Sequence, residues 1–100
     1  MSDVSFIHRE VIFEWDNQKA IANLHKHDLS FESACEAFFD PFLVVLEDVE
    51  SVGEELREKL IGMTRDWRIV LVVYVMREDR LRLISARDTT SMERRQYEDQ

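Results

Sequence analysis

Val11, Phe13 and Trp15 alternate with Ile12 and Glu14, the two-residue period of a strand with one face more apolar than the other. Behind that strand Ala20, Ile21 and Leu24 fall on one helical stripe, and Phe31, Ala34, Cys35 and Phe38 recur at the same spacing. Asp16 and Ser30 stand where a side-chain oxygen can accept from the free amides of a first helical turn. Helices are therefore predicted over residues 17–27 and from residue 31 to the break at Asp40-Pro41. The apolar runs at 42–46 and 60–63 suit strands, whereas 56–59 fits either a strand or a helix. Residues 47–53 read as an acidic, solvated connection. The β-branched run at 69–75 is the clearest strand, and its continuous apolar character places it centrally in a sheet. Arg77-Glu78-Asp79-Arg80 makes a tight charged hairpin, residues 80–85 return beside the run, and Thr90 with Glu93 fits a capping box that opens a last helix through Tyr97.

Two helices ahead of a strand meander and one helix after it spell an α+β fold, an antiparallel sheet with helices packed on one face and the other face left for function. One hundred residues make a single domain, 1–100, and 2 Gly with 1 Pro leave little chain for long irregular loops. No apolar run approaches the roughly 18 residues of a membrane-spanning helix, and the N-terminus lacks the basic and apolar regions of a secretory signal, so a cytoplasmic protein that does not enter a membrane is expected. The lone Cys35 lies among Ala34, Ala37 and Phe38 and reads as a small buried hydrophobe rather than a nucleophile.

A net charge of -8 opposes nucleic-acid binding, but the charge is unevenly spread. Residues 32–58 hold nine acids against Arg57 alone, whereas residues 65–95 hold eight arginines against five acids. Two surfaces with different partners are the expectation, against the simpler reading of two solvated faces.

Arg77, Arg80, Arg82 and Arg87 surround the last hairpin, and Tyr97 follows one helix later. Guanidinium groups offer paired donors to phosphate oxygens, and a tyrosine can stack on a base or relay a proton. RNA needs no metal or other cofactor to be cut when its own 2′-hydroxyl is held in line for attack and the developing charge is stabilised. The same arginines could instead merely keep an edge hairpin soluble. Whether Arg82 and Arg87 share a face depends on where their strand ends. His25 and His27 point about 200° apart on a helix, so they do not readily share an ion, and no metal site is predicted. Trp15 reads as a core anchor or a base-stacking platform, and Lys19 either pairs with Asp16 or projects toward a substrate.

Trp15, Asp16, Lys19, Asn23, Lys26, His27 and Phe31 match the opening motif of one family of small bacterial proteins, and Tyr74, Arg77, Ile84, Ser85, Ala86, Arg87, Glu93, Arg94 and Tyr97 match its second half in order. Arg57 ahead of Ile61-Gly62 fits as well, while Leu56 stands where an acidic residue is expected. The chain resembles the BrnT family. The resemblance implies the toxin of a type II toxin-antitoxin pair, a RelE-like endoribonuclease silenced by a BrnA-like antitoxin that carries the DNA-binding segment. It implies Arg77 and Arg87 in phosphate or transition-state contacts with Tyr97 in support, and RNA-binding roles for Arg80, Arg82, Arg57, Lys19 and His27. A module that captures a partner peptide without catalysis is the alternative.

Overall fold

A computed structural model of the chain describes residues 2–47 and 50–100. The elements run β1 (Asp3–His8), β2 (Val11–Asp16), α1 (Asn17–His27), α2 (Phe31–Ala34), a 3₁₀ turn (Cys35–Phe39), β3 (Val44–Val45), β4 (Glu50–Val52), β5 (Glu55–Met63), β6 (Ile69–Met76), β7 (Leu81–Asp88) and α3 (Ser91–Glu98). The sheet order is β1-β2-β7-β6-β5-β3, with β4 also paired to β5. The class is α+β, as expected, with a mostly antiparallel open sheet. One pair departs from the expected antiparallel meander: β2 lies parallel to β7, through Phe13 opposite Leu81 and Glu14 opposite Arg82.

The helix caps form as their residues predict. The Lys19 amide donates to Asp16 at 3.0 Å, the Ser33 amide to Ser30 at 3.1 Å, and Thr90 with Glu93 completes the capping box of α3. Other expectations need correction. The second helical stripe is only one α-turn before it tightens into the 3₁₀ turn, so the apolar spacing persists while the winding changes. The strand expected at 42–46 is confined to Val44–Val45, and the ambiguous 56–59 segment is fully strand within β5. The acidic connection contains β4, and its Asp48 lies outside the described residues.

β1 was not anticipated. Its alternation is real, but Arg9 and Glu10 turn the chain with positive φ (50° and 70°), a two-residue primed hairpin turn built without the usual glycine or asparagine. Asp28 and Trp67 also adopt left-handed backbone, at φ 51° and 67°. A chain with so few glycines makes its tight turns from ordinary residues, at about 1 kcal/mol or more each.

The core lies between one sheet face and α1, α2 and the 3₁₀ turn. Phe13, Trp15, Leu60, Val70, Val72, Tyr74, Leu83 and Ala86 meet Leu29, Phe31, Ala34, Cys35 and Ala37 there. Trp15 is the expected core anchor, packed edge-on against Phe31 with ring centroids 5.6 Å apart. Cys35 is fully buried, and burial pushes its thiol far above the ordinary range, so it is an inert hydrophobe. Gly62 admits the 3₁₀ turn because a Cβ there would stand 2.5 Å from the Ala37 carbonyl oxygen. The α1 stripe is rotated from expectation. Ile21 and Leu24 are exposed, and Asn23 turns inward instead.

That inversion has a hydrogen-bonding cause. β2 pairs with β7 only as far as Glu14–Arg82, so the outer edge of β7 beyond that point needs partners. Asn23 supplies them. Its Nδ2 donates to the carbonyls of Ala86 (2.9 Å) and Leu29 (3.0 Å), and its Oδ1 accepts from the Ala86 amide at 3.1 Å. A side-chain amide thus completes the ladder where no strand follows.

Candidate active site

Strand register decides which side chains share the second sheet face. Opposite Leu60, Val72 and Ala86 in the alternation stand Ile61, Leu71 and Arg87, and further along Lys59, Val73 and Ser85. Arg87 follows Arg82 by five positions, an odd spacing that would put them on opposite faces of a regular strand. A bulge reverses this. Val73 pairs with Ser85 and Tyr74 with Leu83, so Ile84 is an extra residue and Arg82, Ser85 and Arg87 all lie on one face. Alternation along β5 adds Arg57 to that face, and Arg77 and Arg80 close its end through the Arg77 amide donating to the Arg80 carbonyl at 2.9 Å. Beneath the arginines runs an apolar strip of Ile61, Leu71 and Val75, all buried, on which the guanidinium stems can lie.

Nearly every guanidinium there is met by a carboxylate. Arg77 pairs with Glu55 at 2.7 Å. Arg80 and Arg82 converge on Glu14 at 3.2 and 2.9 Å, and Arg82 reaches Asp3 at 3.2 Å, which ties β7 to both strands of the N-terminal hairpin. The hydrogen bond from Arg82 holds the Asp3 carboxyl below the usual carboxylate range. Arg87 grips Glu93 with two parallel bonds of 2.9 and 3.0 Å. Those bonds lower the Glu93 pKa against the opposing effect of burial. Arg57 differs, since its Nε is buried without a hydrogen-bond partner among the described residues.

The Arg87–Glu93 pair also places α3, which lies over the second face beside β5 rather than with the other helices. Helices on one face only is therefore wrong for α3, because the β7-to-α3 connection is just two residues and its capping glutamate is drawn to Arg87. One turn beyond Glu93, the Tyr97 hydroxyl donates to Asp40 Oδ2 at 2.5 Å. Burial, and then this bond, push the tyrosine pKa to about 12, so the phenol keeps its proton at neutral pH. Burial disfavours the Asp40 charge, but donors from Tyr97, Phe42 and Met63 prevail and keep its pKa low.

Lys19 and His27 sit on α1, which packs against the core face, so the structure does not bring them to the arginines. Lys19 bonds Asp16 through its backbone, with its side chain exposed, and the His27 carbonyl accepts from Arg68 at 3.2 Å. Arg68 was not singled out by its sequence context. It also donates to the Asp28 carbonyl and to Asp88, clasping the end of α1 to the start of β6 and the end of β7. Only a long-range partner gives it that role, and local sequence carries no signal of one. Among the described residues, no three His, Cys, Asp or Glu side chains gather as a metal site, and no helix is long and apolar enough to cross a membrane.

No curated protein matches the chain. A family model does, over residues 15–93, and it is described as the ribonuclease toxin, BrnT, of a type II toxin-antitoxin system. The matched span holds the arginines of the second face and Glu93, but neither β1 nor Tyr97. An arginine-lined sheet face and a family match over most of its length agree that the chain belongs to the BrnT family of ribonuclease toxins of type II toxin-antitoxin systems.

Proposed function

We propose that this chain is a metal-independent endoribonuclease of RelE-like architecture, silenced by a BrnA-like antitoxin, and that the arginine face is its active surface. The observation that carries the reading is the bulge at Ile84, which brings Arg82 and Arg87 onto the face that also holds Arg57 and Arg77. In the proposed reaction a ribose 2′-hydroxyl gives up its proton to solvent water and attacks the adjacent phosphorus, the bond from phosphorus to the 5′-oxygen breaks, and a 2′,3′-cyclic phosphate forms. Arg77 and Arg87 neutralise the charge that grows on the phosphoryl oxygens, and Arg57 offers its unmatched donor to a neighbouring phosphate. Tyr97, protonated at neutral pH and one turn along α3 from the residue that holds Arg87, gives a proton to the departing 5′-oxygen. Arg80 and Arg82 contribute positive potential more than direct contacts, because each is held by two carboxylates, Glu14 with Asp79 and Glu14 with Asp3, whereas a phosphate need displace only Glu55 from Arg77 or Glu93 from Arg87. Lys19 and His27 would meet only RNA that extends past the edge of the sheet. The partner is the antitoxin, and DNA is engaged only through it.

Expression of this chain alone in a bacterial host tests the reading. Growth arrest with fragmented RNA is expected from the wild type, and normal growth from an Arg77→Ala, Arg87→Ala double variant shown to be folded. Normal growth and intact RNA under strong wild-type expression would overturn it. Retained capture of the neighbour-encoded protein in that case would leave a non-catalytic binding module.

A further inference from the structure

The arginine hairpin is a poor place for an antitoxin to be drawn by charge, since Glu14 and Asp3 already satisfy Arg80 and Arg82. An unoccupied surface of different character lies at the other end of the sheet. β3 closes the sheet order, so its outer edge has no strand neighbour among the described residues. Between β3 and α3 an open groove of about 1040 Å³ is lined by Val44, Val45, Leu46 and Met92, with Glu47 and Asp99 against Arg95 as further charges and Glu93 already held by Arg87. Val45 is 51% and Met92 77% exposed, a large apolar expenditure of surface for so small a chain. Along the sequence, β3 belongs to a 32–58 segment with nine acids against one arginine, of which Glu47 lines the groove while Glu36 and Glu55 are paired with Arg65 and Arg77.

We propose that this groove is the antitoxin-docking site, and that its occupant is an extended segment of the antitoxin, apolar at its centre and basic at its flanks, added as a strand to the edge of β3. An exposed strand edge supplies backbone hydrogen bonds to such a segment, and alternate side chains enter the groove. Glu47 and Asp99 select lysine or arginine at the flanks and speed encounter. The site also gives inhibition a route. Its α3 wall holds Glu93 on Arg87 and Tyr97 on Asp40, so an occupant that fastens α3 to the sheet keeps Arg87 engaged by carboxylate and denies it to a phosphate. This inference rests on the toxin reading given above.

The test is titration of the full chain with the purified protein encoded beside it. A Val45→Asp, Glu47→Lys double variant should bind at least 30-fold more weakly than wild type while its RNA cleavage without the partner is unchanged. An Arg80→Glu, Arg82→Glu variant that remains folded should stay within threefold of wild type. Hydrogen exchange on the unaltered complex provides an arm that needs no variant: amides of Val44–Val45 and of α3 should slow on binding. Tight wild-type binding with no loss in the groove variant, or protection confined to the arginine hairpin, overturns the groove while leaving the toxin reading intact. Absence of wild-type binding to the neighbour-encoded protein overturns both.

Discussion

Replacing Arg87 with alanine should lower the rate of RNA cleavage by about 100-fold or more, the usual consequence of removing one donor aimed at developing charge. Arg87→Lys keeps the charge but loses the fork that now holds Glu93 through two bonds, and a loss of about 10-fold is expected. The two variants are informative together because Arg87 also anchors α3. If its only task were to hold that helix, both substitutions would loosen α3 and leave kcat unaltered once folding was accounted for. A fall in kcat larger than the rise in KM, on protein with unchanged secondary structure, identifies a group that acts in the transition state. Unchanged cleavage in folded Arg87→Ala would reduce Arg87 to a strut.

Asn23→Leu should destabilise the fold by roughly 3 kcal/mol, which lowers Tm by about 15 °C for a chain of this size. Leucine has the same branched four-atom skeleton as asparagine, so the loss comes chiefly from hydrogen bonds. The Ala86 amide, the Ala86 carbonyl and the Leu29 carbonyl would all lose a buried partner at once. An unfolding experiment in urea measures this directly, and the midpoint should fall without a change in slope. A loss below about 1 kcal/mol would show that water or a backbone shift replaces the amide, and that β7 does not depend on α1 for its outer ladder.

Local chemistry was well written in the sequence and long-range chemistry was not. Asp16, Ser30 and Thr90 each act on an amide three residues away, and each helix begins where they predict. The strand at 69–75 was legible because both its faces are largely buried, Val70, Val72 and Tyr74 in the core and Leu71 and Val75 on the other side. Asn23 misled the stripe of α1, since periodicity assigns polar residues outward and cannot anticipate an amide that substitutes for a missing strand. β1 was hidden because Arg9 and Glu10 adopt a turn that normally advertises itself with glycine.

The candidate site divides in the same way. Its residue types pointed to phosphate, and the cluster at the hairpin was visible from spacing alone. Its geometry depended on one extra residue at Ile84, which changes the parity of everything after it in β7. Its electrostatics depended on Asp3, Glu14 and Glu55, distant acids that no local window links to Arg82, Arg80 and Arg77; only Glu93 lies near its partner Arg87 in the chain. Several motif residues carry the fold instead of the chemistry: Trp15, Phe31, Tyr74 and Ala86 lie in the core, and Asn23 completes the sheet.

Incubation of purified protein with a short end-labelled RNA, in the presence of a chelator, tests the central claim most directly. Cleavage that persists without divalent ions and leaves a 2′,3′-cyclic phosphate on the upstream fragment is the predicted result. Cleavage that stops with the chelator and returns with added magnesium, or products that carry a 5′-phosphate, would contradict attack by the ribose hydroxyl on an arginine-held phosphate.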